Sequence, residues 1–218
     1  MSKTHIISEI HLGSPVCRVE KVLECLERPC DKLIINGDLF DSFNFKRFNS
    51  EHWQVLSTIR RLSKKIPVIF CRGNHDSNIE SLSTLLGVEF VSETFLLWKG
   101  KKVLVCHGDR FDHWTAKQTL SDFFTGLYYI IQRLDTKHRK FSTWLKLKSK
   151  QILKVHKHHE ERSIKFAKSH GYDVICVGHS HLENKIEQDG VIYVNSGSFC
   201  ECPCSYVEID EDITLKHI

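Results

Sequence analysis

Five times along this chain, a short apolar run ends in a turn that carries histidine, aspartate, glutamate or asparagine. The five turns are residues 8–11, 37–41, 73–76, 107–109 and 178–181. The apolar runs alternate with helical patterns, which is typical of βαβ units and a parallel sheet. Because the carboxyl ends of parallel strands open onto one crevice, we expect the five turns to converge in space.

Periodicity predicts most of the regular elements between these turns. Strand patterns fall on residues 5–7, 32–35, 68–70, 102–106, 172–177 and 191–194. Helical patterns fall on residues 18–26, 51–64 and 79–86, and hairpin turns are predicted at Gly100 and at residues 188–190. From about 115 to 170 the aromatic and aliphatic residues recur at helical spacing without any strand pattern. This segment predicts a helical cap insert within a single domain that spans residues 1–218.

Length and composition fit a single compact α/β domain. The chain has 218 residues, of which 41% are hydrophobic and 27% charged, so it can bury a sizeable core. No apolar run reaches the roughly 18 residues needed to span a bilayer. The N-terminus lacks the apolar stretch of a signal peptide. We therefore expect a cytoplasmic protein.

Positive charge is concentrated in the predicted insert. Residues 137–170 contain eleven lysines and arginines against two glutamates, a surplus of nine, in a chain whose net charge is +4. Such a surplus predicts an anionic partner or surface. A solvated helix face explains the same pattern, and both interpretations stay open on the sequence alone.

Nine cysteines are spread mostly over strand-like segments, where reduced thiols commonly serve as small buried apolar groups. The exception is a cluster of three, at Cys200, Cys202 and Cys204. Such a cluster can bind a soft metal or respond to oxidation. Its spacing differs from that of a zinc module, and no second Cys/His pair lies nearby in sequence.

The residue types in the five turns indicate a site for divalent metals. Imidazole and carboxylate together suit manganese, iron, zinc, nickel or cobalt rather than the soft metals that thiolates prefer. Glu9 and His11, like His179 and His181, are two residues apart and lie on the same side of an extended segment. A carboxylate such as Asp38 can bridge two ions. Two ions about 3.5–4 Å apart can clamp a phosphoryl group and activate a water molecule.

These five turns resemble the motifs of the calcineurin-like metallophosphoesterase superfamily, which are Asp-x-His, Gly-Asp-x-x-Asp, Gly-Asn-His-Asp/Glu, His-Gly-x and Gly-His-x-His. The resemblance covers most of the chain outside the insert. It implies a four-layer α/β/β/α sandwich. It also implies hydrolysis of phosphate ester or pyrophosphate bonds with two divalent ions, manganese being the first choice and iron, zinc, nickel, cobalt or magnesium the alternatives.

The resemblance also assigns roles to individual residues. One ion would be held by Glu9, His11, Asp38 and His181. The other would be held by Asp38, Asn74, His107 and His179. His75 would act as the acid that touches the phosphate and assists the leaving oxygen, and Asn74 would help to stabilise the developing charge. Asp41 or Asp76 would orient His75, as carboxylates commonly do for a neighbouring imidazole.

Within the superfamily, the chain is most similar to the branch of UDP-2,3-diacylglucosamine diphosphatases. The similarity rests on residues 37–41, 107–112 and 193–199 and on the long insert before residues 178–181. That branch cleaves the pyrophosphate of a UDP-sugar lipid at the inner membrane surface. The basic insert would suit such an anionic substrate and peripheral contact with an anionic membrane. Two positions depart from the pattern, because Glu9 replaces the usual aspartate and His75 stands where lipid A enzymes usually carry arginine.

Three other functions remain open on the sequence. The same site would serve a nucleotide or nucleic-acid phosphodiesterase, whose basic insert would bind phosphates. A scaffold with a site impaired at Glu9 would keep the fold with little activity. A membrane-surface protein would use the basic helices for docking alone.

Overall fold

The computed structural model describes residues 2–76, 80–112 and 150–218. Within these ranges the chain forms four α-helices, which are α1 (Val19–Glu27), α2 (Ser50–Ser63), α3 (Glu80–Leu86) and α4 (Lys150–Ser169). Helix α2 begins at a capping box. The Asn49 side chain accepts a hydrogen bond from the His52 amide at 3.0 Å, and the Asn49 amide donates to His52 Nδ1 at 3.2 Å. These bonds satisfy two backbone donors that the first helical turn leaves free.

The first sheet contains six strands. In spatial order they are β11 (Ile213–His217), β10 (Ser205–Ile209), β1 (Thr4–Ile7), β2 (Lys32–Asn36), β3 (Val68–Cys71) and β4 (Glu89–Val91). Strands β1 to β4 are parallel, and β10 and β11 are antiparallel to their neighbours. Because β1, β2 and β3 are parallel, they run in the same direction and end at the same edge of the sheet.

The second sheet contains five strands. In spatial order they are β5 (Glu93–Trp98), β6 (Lys101–Cys106), β7 (Val174–Val177), β9 (Val191–Asn195) and β8 (Asn184–Gln188). Strands β6, β7 and β9 are parallel, whereas β5 and β8 pair antiparallel through hairpins. The hairpin turns lie at Gly100 and at Asp189–Gly190, where the sequence predicts them.

Alternating side chains place apolar groups on both faces of the first sheet. In β2, Leu33 and Ile35 pack against α1 and α2, whereas Ile34 packs between the two sheets against Val105 and other residues of the second sheet. Helix α4 covers the far face of the second sheet with its Ile164. The order of layers is therefore helix, sheet, sheet, helix, which confirms the predicted four-layer α/β/β/α fold.

The predicted insert falls partly within the described residues. Its last third, residues 150–169, forms α4, and the buried Ala167 of this helix packs onto the second sheet. Residues 115–149 lie outside the described residues, so the cap and the single-domain boundary stay predictions. In the part of the chain that the structure describes, no helix has the length and apolarity to cross a membrane.

Candidate metal centre

The five polar turns meet at one end of the two sheets. The turns after β1 and β2 are joined because the amides of Ile10 and His11 both donate to the carbonyl of Asp38 at 3.0 Å. The turns after β6 and β7 are joined because the amide of Gly178 donates to the carbonyl of His107 at 2.9 Å. Convergence of the turns, which the sequence predicted, is therefore present in the fold.

Five of the converging residues have a left-handed backbone. Their φ angles are 56° at Glu9, 50° at His11, 52° at Asp38, and 59° at both His179 and His181. Residues other than glycine rarely adopt this conformation, which costs roughly 1–3 kcal/mol at each position. The surrounding backbone hydrogen bonds hold the strained turns in place, and the turns direct the side chains into a common space.

One group of side chains surrounds the fully buried carboxylate of Glu9. Its Oε2 lies 3.0 Å from His11 Nε2 and 2.9 Å from His181 Nε2. Its Oε1 accepts a hydrogen bond from the His179 amide at 2.5 Å and lies 3.5 Å from His107 Nδ1. The longer side chain of glutamate therefore reaches the cluster in which the related motifs place an aspartate.

A second group surrounds the amide oxygen of Asn74. This oxygen lies 2.9 Å from His107 Nε2 and 3.1 Å from His179 Nδ1. Asp38 stands between the two groups, because its Oδ1 is 3.5 Å from His107 Nε2 and its Oδ2 is 3.7 Å from His11 Nε2. The seven residues expected as ligands are thus brought together, and Asp38 faces both groups.

The charge of this pocket favours cations. Burial opposes a charge on His11, but the carboxylates of Glu9, Asp38 and Asp41 outweigh it and raise the pKa of His11 to about 9. Burial likewise opposes a charge on Glu9, yet the imidazoles of His181, His107 and His11 hold the pKa of Glu9 well below its usual range. The ionised carboxylate of Glu9 therefore favours positive charge on the groups beside it.

The donor set fits divalent metal ions. Two ligands bonded to one ion at about 2.1 Å stand about 3 Å apart when they lie at right angles. The 2.9–3.0 Å separations around Glu9 Oε2 match this spacing. The far nitrogens of His11 and His181 are buried without a hydrogen-bond partner, 3.9 Å from Asp41 Oδ1 and 3.8 Å from Glu201 Oε1. Carboxylates in this position commonly orient metal-bound imidazoles.

His75 lies exposed at the mouth of the cluster. Its amide donates to Asp38 Oδ1 at 3.0 Å, its Nδ1 lies 2.9 Å from the carbonyl oxygen of Asp41, and its ring meets that of His11 edge-on. The carboxylate of Asp41 turns instead to Arg47, whose Nη1 is 2.6 Å from Oδ2. Asp41 therefore holds His75 through its backbone, a contact that no side-chain pattern predicts.

Asp76 supports the backbone of the site and has no contact with the His75 ring. Its buried carboxylate accepts hydrogen bonds from the amides of Asp38, Gly73 and Phe40 at 2.6, 3.0 and 3.3 Å. Burial, with the charge of Asp38 adding to it, raises the pKa of Asp76 to about 7. Of the two aspartates expected to orient His75, Asp41 contacts the ring through its backbone carbonyl and Asp76 binds backbone amides instead.

Two glycines leave the space that the carboxylates occupy. A Cβ atom on Gly73 would lie 2.2 Å from Asp38 Oδ1, and one on Gly178 would lie 3.0 Å from Glu9 Oε1. Contacts of this kind displace the neighbouring group. Glycine is therefore required here because the backbone must approach the ligand side chains closely.

Sequence reasoning missed two supporting residues. Asn36, at the end of β2, presents its carbonyl to His107 Nδ1 at 3.1 Å, which leaves Nε2 facing the cluster. Asp112 lies 3.3 Å from His179 Nε2. Burial opposes a charge on His179, but Asp112 and Glu9 raise its pKa above the ordinary value. A polar residue that closes an apolar run, as Asn36 does, was the available signal for the first.

The three clustered cysteines do not join a metal group. Cys200 and Cys204 are buried, and their thiols donate to the backbone carbonyls of Ile10 and Glu201. Burial raises the pKa of the Cys204 thiol to about 12. Among the described residues, the groups of side chains with metal-binding geometry contain histidine, aspartate and glutamate and no cysteine.

Known proteins resemble this chain in sequence and in fold. The family model for calcineurin-like phosphoesterases matches residues 3–183. A UDP-2,3-diacylglucosamine hydrolase from Histophilus somni (strain 129Pt) is 31% identical over 120 residues, which is half of this chain and half of that protein. The chain thus spans about half the length of this curated relative.

Solved structures with low identity share the fold. An archaeal phosphodiesterase is 17% identical with a TM-score of 0.54, and the match covers 99% of each chain. The phosphoesterase Yfce from E. coli is 19% identical with a TM-score of 0.55, covering 99% of this chain and 92% of that one. Vps29 from Chaetomium thermophilum is 11% identical with a TM-score of 0.55, covering 100% and 97%. With the family model matching most of its length, the chain belongs to the calcineurin-like phosphoesterase family.

Proposed function

We propose that this chain is a hydrolase of phosphate ester or pyrophosphate bonds that works with two divalent metal ions. The observation that carries the proposal is the position of Asp38, whose two carboxylate oxygens face two separate groups of imidazoles. A carboxylate placed in this way is suited to bridge two ions. Membership in the phosphoesterase family supports the same conclusion.

The proposed ligands follow from the two groups. Glu9, His11, Asp38 and His181 would hold one ion. Asp38, Asn74, His107 and His179 would hold the other. When bound, the ions would supply Lewis-acid charge to the phosphoryl group and lower the pKa of water. Oxygen and nitrogen donors suit manganese, which we propose first, and equally admit iron, zinc, nickel, cobalt or magnesium.

His75 would handle the proton of the leaving group. A ring whose Nδ1 donates to the Asp41 carbonyl carries its proton on that nitrogen and presents Nε2 to the mouth of the site. In its charged form, Nε2 can donate a proton to the departing oxygen. The neighbouring Asn74 amide is available to a phosphoryl oxygen. In this proposal Asp41 fixes the ring and does not itself touch substrate.

For the substrate we propose a pyrophosphate of the UDP-sugar lipid class, such as UDP-2,3-diacylglucosamine. The support is the relative from Histophilus somni, together with the resemblance of residues 37–41 and 107–112 to the motifs of that branch. The nucleotide or nucleic-acid phosphodiesterase is the alternative on the same site. It differs in the substrate turned over and not in the metal chemistry, so a substrate panel separates the two.

The test is a panel of UDP-2,3-diacylglucosamine, other nucleotide diphosphates, cyclic dinucleotides and simple phosphodiesters, each with added Mn²⁺. We expect metal-dependent turnover of the UDP-lipid above all others. His75→Ala should keep its bound metal and lose about 10²–10⁴-fold in turnover, the usual contribution of a general acid. His170→Ala, which alters an exposed histidine in the turn just after α4, is the matched control and should be unchanged.

Two results would contradict the proposal. A panel without metal-dependent turnover of any substrate would favour a scaffold with an impaired site. Turnover that His75→Ala leaves at the wild-type rate would remove His75 from the mechanism. Preference for cyclic dinucleotides over the UDP-lipid would leave metal-dependent hydrolysis standing but would contradict the proposed substrate class.

A further inference from the structure

A basic groove lies between α4 and the turn at Asp109–Phe111, and none of the proposed metal ligands lines it. It is lined by Arg110, Phe111, Arg162, Lys165, Phe166 and Ser169 and has a volume of about 440 Å³. Small-molecule sites commonly occupy concave spaces of about 300–1,000 Å³ with apolar walls and a few polar groups. The groove is open to solvent and large enough to admit a small anionic group.

One face of α4 forms the helical side of this groove. Residues 162, 165, 166 and 169 are spaced so that they lie along one face of a helix. The buried residues Ser163, Ile164 and Ala167 lie on the face that packs towards the second sheet. Phe111 is a buried member of that core and Phe166 packs against it, so only part of each ring lines the groove, whereas Arg162 and Lys165 lie outside the core.

Phenylalanines and an arginine form the apolar side. The Phe111 and Phe166 rings are 5.3 Å apart, and the Arg110 guanidinium lies 4.7 Å from the Phe166 centroid and 5.3 Å from the Phe111 centroid. Glu93 forms a close ion pair with Arg110, which neutralises that cation. The Arg110 guanidinium therefore contributes mainly a planar surface that stacks on the two rings.

Arg162 and Lys165 provide the uncompensated charge. Arg162 Nη1 donates to the Phe111 carbonyl at 3.4 Å, and neither cation forms an ion pair with any residue that the structure describes. Two unpaired cations beside two aromatic rings select a ligand that has an anionic group next to an apolar portion. Phosphate is the anion that arginine and lysine bind most readily in combination.

We propose that this basic groove binds the phosphate group of an amphiphilic ligand, with Arg162 and Lys165 on the phosphate and Phe111 and Phe166 on the apolar portion. The ligand can be a soluble phosphate with an apolar tail or the headgroup of an anionic lipid. The site is separate from the metal cluster and does not depend on hydrolysis at that cluster.

The test compares binding of hexylphosphonate and methylphosphonate, two phosphate mimics that resist hydrolysis, by calorimetric titration of the full chain. The groove variant is R162Q/K165Q. The matched control is K157Q/K168Q, which removes the same charge from exposed positions of the same helix outside the groove. We expect wild type and control to bind hexylphosphonate about tenfold or more tightly than methylphosphonate, because extra methylenes are buried. The groove variant should lose about tenfold or more in affinity for hexylphosphonate.

Vesicles distinguish the two sources of the phosphate. If R162Q/K165Q alone fails to sediment with phosphatidylcholine vesicles containing phosphatidate, the groove binds lipid headgroups. If sedimentation is equal while hexylphosphonate binding differs, the ligand is soluble. Either result supports the proposal that the groove binds a phosphate group. Hydrolysis of a simple phosphodiester should be unchanged in R162Q/K165Q, since these residues lie outside the proposed metal ligands.

The proposal is overturned if R162Q/K165Q binds hexylphosphonate as wild type does. It is also overturned if K157Q/K168Q loses as much, since charge alone would then explain binding, or if both phosphonates bind equally, since the aromatic walls would then have no role. Lys165 is exposed, so K165Q alone remains a usable variant if the double variant does not fold.

Discussion

At the scale of single residues, Glu9 decides whether this site works as its relatives' sites do. The related motifs have aspartate here, and the added methylene could have moved the carboxylate out of range. In the structure a left-handed backbone at φ 56° and the hydrogen bond from the His179 amide bring the carboxylate to His11 and His181. Glu9 therefore has the contacts of a ligand.

Two substitutions of Glu9 distinguish the effect of its side-chain charge from the effect of its side-chain length. We predict that Glu9→Gln loses most of its bound metal and at least about 100-fold in turnover, because even outer-sphere partners of a metal are worth about 10–100-fold. Glu9→Asp, which keeps the charge, should retain more of both than Glu9→Gln. Bound metal and turnover are measured on the same preparations.

The control for this prediction is Glu187→Gln, an exposed glutamate on β8. It should match wild type in both quantities. Equal metal content in Glu9→Gln and wild type would show that Glu9 is not a ligand.

At the scale of elements, α4 connects the predicted insert to the site. Its buried His159 lies with Nε2 2.9 Å from the carbonyl of Gly108, next to His107, and its Nδ1 3.5 Å from the hydroxyl of Tyr193. Burial, with the charge of His179 adding to it, lowers the pKa of His159 to about 4. The neutral ring is thus part of the packing between α4 and the metal-binding turns.

This burial predicts a pH-dependent loss of stability. Above pH 6.5, His159 is neutral in the folded and unfolded states and has no effect. As the pH falls from 6.5 to about 4, the unfolded chain takes up the proton first, so unfolding becomes easier by up to roughly 3 kcal/mol. His159→Gln, which can still donate to Gly108, should lack this part of the decline.

Urea unfolding of both proteins at several pH values measures the difference. The control is His158→Gln, an exposed neighbour that should follow wild type. If wild type and His159→Gln lose stability in parallel between pH 6.5 and 4, His159 is not buried in its neutral form.

The elements show how far sequence patterns reach. Alternation predicted the six principal strands, the three helices of the first sheet and both hairpins, because each burial pattern is local. The C-terminal pair β10 and β11 and the short β4 were not predicted. Strand β10 pairs with β1 across some two hundred positions of sequence, and no local pattern specifies such a pairing. Helical spacing predicted a helix in the last part of the insert, but no local pattern showed that α4 would pack on the second sheet through Ile164 and Ala167.

The site follows the same rule. Motifs at strand ends predicted that the seven proposed ligands would lie close together, because the carboxyl ends of parallel strands open onto one crevice. The contacts that orient them were not predictable. His75 is held by the backbone carbonyl of Asp41, and Asp76 accepts from backbone amides. A pattern of side-chain types cannot predict either role, because both contacts involve backbone atoms.

At the scale of the whole molecule, the candidate centre depends on the two sheets being held in one position. Asn36 of the first sheet donates through its side chain to the carbonyls of Cys106 at 2.9 Å and Cys176 at 3.4 Å in the second. The same residue accepts from His107 through its own carbonyl. Each proposed ion would take ligands from both sheets, so assembly of the sandwich and of the site are one event.

The central claim is that these two groups of side chains hold two ions per chain. The direct measurement is the manganese content of the full chain after incubation with Mn²⁺ and gel filtration, by elemental analysis against protein concentration. We predict two ions per chain for wild type and about one for His107→Ala, because His107, whose Nε2 lies 2.9 Å from the Asn74 amide oxygen, is a proposed ligand of one ion only. Wild type without bound metal, or His107→Ala with the wild-type content, would contradict the account.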